Sequence, residues 1–241
     1  MKNDFLKNGF TQIPNFIPLK ETLILRTIYN DLLNDKEKTK GFRSDLSGNN
    51  EEKDVEKITQ IMRPSLIDIR LSKSNTYKLT KSCAKEILGN DMELDFDMLI
   101  NKAPNTNTET PWHQDAAYWI KMPDKRSLSI WIALDDVFEE NGCMWFIPKK
   151  ENQEIASHTA LPNGGALFCE INTNKAKSIP LKMGGCTIHD GFTFHYSKGN
   201  TTEHNRRALI LNFRPIEMIN LERKQGIDHT GNREIRNKRG N

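Results

Sequence analysis

The chain has 241 residues, 36% hydrophobic and 28% charged, with a formal net charge of +3; that balance excludes an intrinsically disordered segment and leaves no electrostatic footprint for nucleic acid. Apolar runs are short, as in Ala208–Leu211, so no membrane span is predicted, and the opening MKNDFLKNGF lacks the apolar stretch of a secretory signal. The four cysteines (Cys83, Cys143, Cys169, Cys186) form no CxxC pair, which argues against a zinc ribbon and fits free thiols in a reducing cytoplasm.

In chain order, residues 19–35 (LKETLILRTIYNDLLND) carry apolar residues at helical spacing among good helix formers, and predict a helix. Residues 36–56 are nearly all polar and predict a mobile loop, of the kind that can serve as a lid. Residues 76–88 predict a second helix, ended by Gly89 and Asn90.

From Asp91 onward the period changes to two. MELDFDMLI sets Met92, Leu94, Phe96, Met98 and Ile100 against more polar neighbours and predicts a half-buried strand. SLSIWIAL sets Leu128, Ile130, Ile132 and Leu134 against Ser129, Trp131 and Ala133. ENGC at 140–143 predicts an Asn-Gly hairpin turn. GGALFCEI, GGCTIHDG, TFHYS and RALILNF are further short strands between turn residues, and the tail from Leu221 is polar. Many short strands behind two helices predict a mainly β chain with flanking helices (α+β), built on a barrel or jelly roll. One domain over 1–241 is expected, with helices in about 1–90, a β core in about 91–215 and a polar tail.

There are six histidines, and a lone histidine is ordinarily a surface or hydrogen-bonded residue. His113 and Asp115 in TPWHQDAAYW stand two residues apart, which aims both at one face of an extended strand. That spacing reads as a metal pair or as a buried ion pair. The segment HDGFTFHYSKGNTTEHNRRALILNF reads as two apolar strands joined around Lys198–Thr202, with His195 in the first and Arg206 and Arg207 opening the second. Two imidazoles and a carboxylate bind Fe(II) on one face and leave three positions for a 2-oxo acid and O₂. An arginine fork suits the far carboxylate of such an acid.

Read together, MLINKAP, HQD, WIALDDVFEENGCMWFIP and HYSKGN followed by Arg resemble, in order, the phytanoyl-CoA dioxygenase-like enzymes. These are Fe(II)- and 2-oxoglutarate-dependent oxygenases on a double-stranded β-helix, a jelly-roll, cupin-like core. The resemblance runs from about Asp91 to Pro215. It implies His113, Asp115 and His195 as iron ligands and Arg206 as the 2-oxoglutarate anchor, with Arg207 as its rival, because alternation alone does not say which points inward. It also implies Met98, Gln114, Trp131 and Ser197 as lining the 2-oxoglutarate pocket. The pattern supports Trp131 separately, since small Ser129 and Ala133 flank it on the face opposite the Leu/Ile stripe.

The chemistry implied is hydroxylation of an unactivated C–H in a small-molecule substrate, with release of succinate and CO₂. A carboxylate at 115 favours hydroxylation or desaturation over halogenation. Family members often read IPGSH where this chain has IPKKENQ at 147–153; that segment borders the substrate entrance in the family, so the resemblance does not carry their substrate over, and it leaves the metal set untouched. Lys102 reads as a solvated strand end, or else as reaching the mouth of the site, and the acids Asp135, Asp136, Glu139 and Glu140 read as a solvated turn. His158 and His204 match no ligand position, His189 reads as a supporting residue, and Trp112 and Tyr118 read as walls beside the metal. Two other readings stand beside this one: a cupin-like metal enzyme without 2-oxoglutarate, and a non-catalytic binding protein on the same barrel.

Overall fold

The computed structural model describes residues 1–48, 56–121, 123–161 and 166–230. Helix α1 (Lys2–Asn8) leads into strand β1 (Phe10–Ile13). Helix α2 (Leu19–Asn34) buries Leu25, Ile28, Tyr29 and Leu32 along one stripe, as its spacing requires. After β2 (Arg43–Asp45) and β3 (Ile58–Met62) come two single-turn helices, α3 (Pro64–Ile67) and α4 (Ile69–Ser72). Helix α5 (Asn75–Leu88) starts one residue earlier than the apolar period indicates, because Ser74 Oγ caps it by accepting from the Tyr77 amide. It ends at Gly89, whose φ of 122° favours glycine.

The remaining strands are β4 (Met92–Lys102), β5 (Thr110–His113), β6 (Leu128–Ala133), β7 (Met144–Phe146), β8 (Thr159–Ala160), β9 (Leu167–Phe168), β10 (Lys177–Ile179), β11 (Cys186–His189), β12 (His195–Ser197) and β13 (Arg206–Pro215), with α6 (Ile216–Lys224) last. They assemble into a major sheet in the order β1-β11-β6-β13-β4-β3-β2 and a minor sheet in the order β10-β7-β12-β5. Every pairing is antiparallel. This is a double-stranded β-helix with helices on the outer face of its larger sheet.

Alternation explains the layering. Leu128, Ile130, Ile132 and Leu134 point outward and join Leu209, Leu211 and the helices in one apolar cluster. Trp131 and Ala133 point the other way and meet Met144 and Phe146 of the minor sheet in a second cluster, between the sheets. The candidate site residues lie toward that inner layer. No helix among the described residues is long and apolar enough to cross a membrane. The four cysteines are buried and free.

Four expectations need correction. Strand β4 is not half-exposed: Asp95, Asp97, Asn101 and Lys102 are buried as well. The carboxylate of Asp97, for example, accepts from Ser65 N, Ser65 Oγ and the Tyr77 hydroxyl. Residues 140–143 are not a hairpin, because β6 and β7 belong to different sheets. The chain crosses between them by a 3₁₀ turn, Glu139–Asn141, closed by Gly142 at φ 90°, where a Cβ would come within 2.5 Å of Lys198 O. His195 and Arg206 likewise sit in opposite sheets rather than across a hairpin. The flanks of the expected 36–56 loop are pinned: Arg43 pairs with Glu56 at 2.7 Å and donates to Leu33 O, while Asp45 accepts from Lys57 N and Ile58 N. Residues 49–55, the heart of that loop, lie outside the described residues, as does the tail from 231 and the 162–165 stretch before β9.

The first part of the tail folds. Helix α6 and the segment to Thr230 bring Glu222 and His229 against Arg214 and Asp95 in a buried ion cluster. Arg214 bonds to Asp95 and, at 2.5 Å, to Glu222 Oε2, and its guanidinium covers the Trp119 ring at 4.8 Å. Arg223 adds a second cation on Asp95, so two guanidinium groups balance two carboxylates. Burial pushes the Glu222 carboxyl up, but bonds from His229 and Arg214 outweigh it and hold it down at about 2, against an ordinary 4.5. A depressed carboxyl stabilises the fold above its unfolded-state value and loses that contribution as pH falls toward its folded-state value. Glu222→Gln is therefore expected to lose about 3 kcal/mol at neutral pH. In urea titrations the gap from wild type should close between about pH 4.5 and about pH 2; a gap independent of pH would contradict this reading.

Candidate metal centre

Strands β5 and β12 are neighbours in the minor sheet, and His113 is the register partner of His195. Their rings therefore lie side by side on the inner face, with centroids 4.1 Å apart. Each Nδ1–H donates to a backbone carbonyl two residues earlier: His113 to Pro111 O at 2.8 Å and His195 to Thr193 O at 3.0 Å. That fixes the tautomer and leaves both Nε2 lone pairs pointing inward.

Asp115 is not on the strand. The chain stays extended through Gln114 and then turns into a short 3₁₀ helix, Asp115–Tyr118, of which Asp115 is the first residue. The turn carries its carboxylate over the histidines, with Oδ1 at 3.9 Å from His113 Nε2 and 3.6 Å from His195 Nε2. The other oxygen, Oδ2, accepts from Ser129 Oγ at 2.9 Å and faces His189 Nε2 at 3.3 Å.

Burial disfavours charge on all of these groups, and the groups respond differently. Burial first, then its neighbouring histidines, pushes His195 well below the ordinary imidazole range, and burial also pushes His113 down. Burial pushes Asp115 up, but the hydrogen-bonding contact with His189 Nε2 favours the ionised carboxylate and helps hold it below the usual range. The result is two buried, neutral imidazole lone pairs aimed at the oxygen of a half-buried carboxylate. Three electron-rich atoms so placed repel unless a cation lies among them, so the donor set fits a metal ion.

Two groups of His, Asp and Glu among the described residues bring ligand atoms within 4.8 Å of one another: this one, and Asp95–Glu222–His229. In the second, Arg214 Nη2 already bonds both carboxylates and lies 3.1 Å from His229 Nε2. A guanidinium occupies the place of a metal there.

Arg206 opens β13 on the inner face, buried to 1% exposure and with its Cζ 5.3 Å over the Trp131 ring. Burial pushes its guanidinium down to about 10, so it stays cationic at neutral pH. Its Nε and Nη1 have no hydrogen-bond partner among the described residues, a costly state for a buried cation that a bound anion relieves. Arg207 points the other way. Its backbone N–H and guanidinium fork bond to Asp135, and Nη1 donates to Asn30 at 2.7 Å.

The other residues implied by the resemblance divide. Trp131 is in the inner layer with Arg206, and the Met98 side chain packs there too, its sulfur accepting from Gln60 Nε2 at 3.3 Å. Ser197 is buried two residues beyond His195 on β12. The amide of Gln114 is engaged by backbone: it donates to Glu154 O and Phe192 O and accepts from Ala156 N. His158 completes that stitch by accepting from the Gln114 N–H at 3.1 Å.

Two peripheral expectations change. Lys102 is not a solvated end: it is fully buried and donates to Thr108 O, Ser197 O and Lys198 O at 3.1, 3.1 and 2.7 Å. Trp112 does not wall the metal, because alternation turns it outward, where it stacks on Tyr196 at 5.2 Å; Tyr118 does meet the His113 ring edge-on at 6.0 Å. Of the turn acids, Asp136 and Glu139 are solvated as expected while pairing with Lys182 and Lys198, and Asp135 is half-buried against Arg207. Ser129, expected only as a small neighbour of Trp131, donates to Asp115, and Asn212, which no sequence signal marks, donates to Ser129.

A family model described as phytanoyl-CoA dioxygenase matches residues 5–208. Phytanoyl-CoA dioxygenase domain-containing protein 1 of Danio rerio is 31% identical over 152 residues, which is 60% of this chain and 52% of that protein. The chain thus spans about half the length of such curated relatives. A probable alpha-ketoglutarate-dependent hypophosphite dioxygenase of Stutzerimonas stutzeri is 23% identical, aligned over 88% of this chain and 77% of its own. Among solved structures, EvdO2 from Micromonospora carbonacea var. aurantiaca, complexed with 2-oxoglutarate, superposes with a TM-score of 0.71 at 26% identity over 88% of both chains.

Lys102 holds both sides of the inner layer together through three carbonyls. Lys102→Met keeps the length and removes every donor, and is expected to cost about 3 kcal/mol in urea unfolding. A variant as stable as wild type would show that these bonds contribute nothing net.

Proposed function

This chain belongs to the phytanoyl-CoA dioxygenase family, and from that premise we propose that it is an Fe(II)- and 2-oxoglutarate-dependent oxygenase that hydroxylates an unactivated C–H of a small molecule. One observation carries the reading: a facial set of two neutral imidazoles and a carboxylate shares the inner layer with a buried arginine whose Nε and Nη1 have no partner among the described residues. A barrel enzyme with a metal but without a 2-oxo acid would have no use for that cation.

In this reading His113, Asp115 and His195 hold Fe(II) on one face. When bound, iron supplies the activation of O₂ that is coupled to decarboxylation of 2-oxoglutarate to succinate and CO₂. Arg206 takes the distal carboxylate of the co-substrate through two parallel N–H donors. Trp131 supports the guanidinium face, and Trp131 and Met98 give the co-substrate an apolar wall. The apolar layer around them excludes water, which strengthens the charge pairing. Asp115 fills the third protein position with a carboxylate, leaving no place for a halide, so the expected outcome is oxygen insertion.

The reading is tested by anaerobic addition of Fe(II) and 2-oxoglutarate, which is expected to give a weak visible metal-to-ligand band. Asp115→Ala should abolish it, and a retained band with full turnover would remove Asp115 from the ligand set. Arg206→Ala should weaken 2-oxoglutarate binding about 100-fold, as loss of a buried charged pair does. Arg207→Ala should leave that affinity within about threefold while lowering stability, since its partners are Asp135 and Asn30. The reverse ranking would mean that the co-substrate lies on the other face of β13.

A further inference from the structure

We propose that His189, Ser129 and Asn212 are positioning residues that commit Asp115 to bind metal through one oxygen only, Oδ1. The inference rests on the metal-site reading above and concerns how the protein shapes that site.

The three residues form one row across the major sheet. His189 on β11 is the register partner of Ser129 on β6, and Ser129 is the register partner of Asn212 on β13. Register partners project to the same face, here the interior. The row therefore lies beneath the turn that carries Asp115, while the two histidine ligands rise from the opposite sheet.

Proton counting gives the row a direction. Ser129 Oγ carries a single proton. That proton goes to Asp115 Oδ2, at 2.9 Å, so Ser129 can only accept from Asn212, whose Nδ2 lies at 2.7 Å. The reversed Asn212 amide would claim the serine proton and leave the carboxylate without it. His189 faces the same oxygen at 3.3 Å and must present Nε2–H to it, which leaves Nδ1 as a bare lone pair; Nδ1 is indeed a buried atom without a partner. An unpartnered lone pair costs less than an unpartnered N–H.

Oδ2 thus takes two donors, and Oδ1, the oxygen nearest both histidine Nε2 atoms, takes neither. A carboxylate free to rotate could clamp a cation with both oxygens and consume a position that O₂ or a 2-oxo acid needs. The row prevents that rotation and keeps the open face at three positions. Phe146, whose ring centroid lies 5.3 Å from that of His189, and His195 at 4.4 Å hold the imidazole in place from the minor sheet.

The test is anaerobic titration with Co(II), followed by its visible spectrum, in wild type, Ser129→Ala, Asn212→Leu and His189→Leu. Each variant is expected to bind Co(II) about 10- to 100-fold more weakly. Ser129→Thr, which keeps the hydroxyl, should stay within about threefold of wild type. A second readout separates positioning from simple destabilisation: the gap between the two carboxylate stretches in the metal-induced infrared difference spectrum should narrow in Ser129→Ala, as a two-oxygen mode becomes accessible. Unchanged Co(II) affinity and an unchanged gap, with only thermal stability lowered, would overturn the inference while leaving the metal site intact. Wild type that binds no Co(II), or binds it no better than Asp115→Ala, would overturn the metal-site reading and the inference with it. Ser129→Ala removes one buried oxygen and is the variant to rely on if His189→Leu does not fold.

Discussion

Two imidazole lone pairs and a carboxylate oxygen converge between the sheets, and that convergence is repulsive on its own. Much of the surrounding structure makes sense as the means of holding it. Backbone carbonyls of Pro111 and Thr193 lock the two rings, the Ser129–Asn212 pair and His189 lock the carboxylate, and Gln114 stitches the connecting residue to the 154–156 backbone. Buried polar groups held by networks of this kind form a rigid site, and a cation is the natural partner for what they present.

The double-stranded β-helix divides the work between its sheets. The minor sheet supplies His113 and His195 as a cross-strand pair, and the major sheet supplies Arg206, Trp131 and the support for Asp115. Asp115 belongs to neither, since it sits on the turn leaving β5, and so it can bridge them. On β13, parity sends two adjacent arginines to opposite faces of the sheet. Arg206 faces the inner layer with open donors, while Arg207 is spent on Asp135 outside. A slip of one residue would exchange the two roles.

Some of this was legible in the sequence. The alternation of 128–134 identified which side chains face the helices and which face the inner layer, and helix spacing located α2 and α5 almost to the residue. The ligand set and the anchor came from motif order rather than from periodicity, and Arg206 could not be told from Arg207 because β13 is buried on both faces. The misreadings share a cause. Period-two reasoning treats a polar residue as exposed, yet Asp97 and Lys102 are buried with their bonds satisfied by residues far away in sequence. The Asn-Gly signal at 141–142 marked a real turn with glycine at positive φ, but local sequence does not say whether a turn returns to the same sheet or crosses to the other. The folded part of the tail was equally hidden, because Glu222 and His229 look like surface residues until Arg214 is beside them.

The proposed site places one metal ion among His113 Nε2, His195 Nε2 and Asp115 Oδ1, with the co-substrate carboxylate on Arg206. The most direct measurement is anomalous diffraction at the iron edge from crystals grown anaerobically with Fe(II) and 2-oxoglutarate. The account predicts a single protein-bound peak at those three atoms, Asp115 bound through one oxygen, and the distal carboxylate on the Arg206 fork. A peak at Asp95, Glu222 and His229, or a co-substrate carboxylate held away from Arg206, would contradict it.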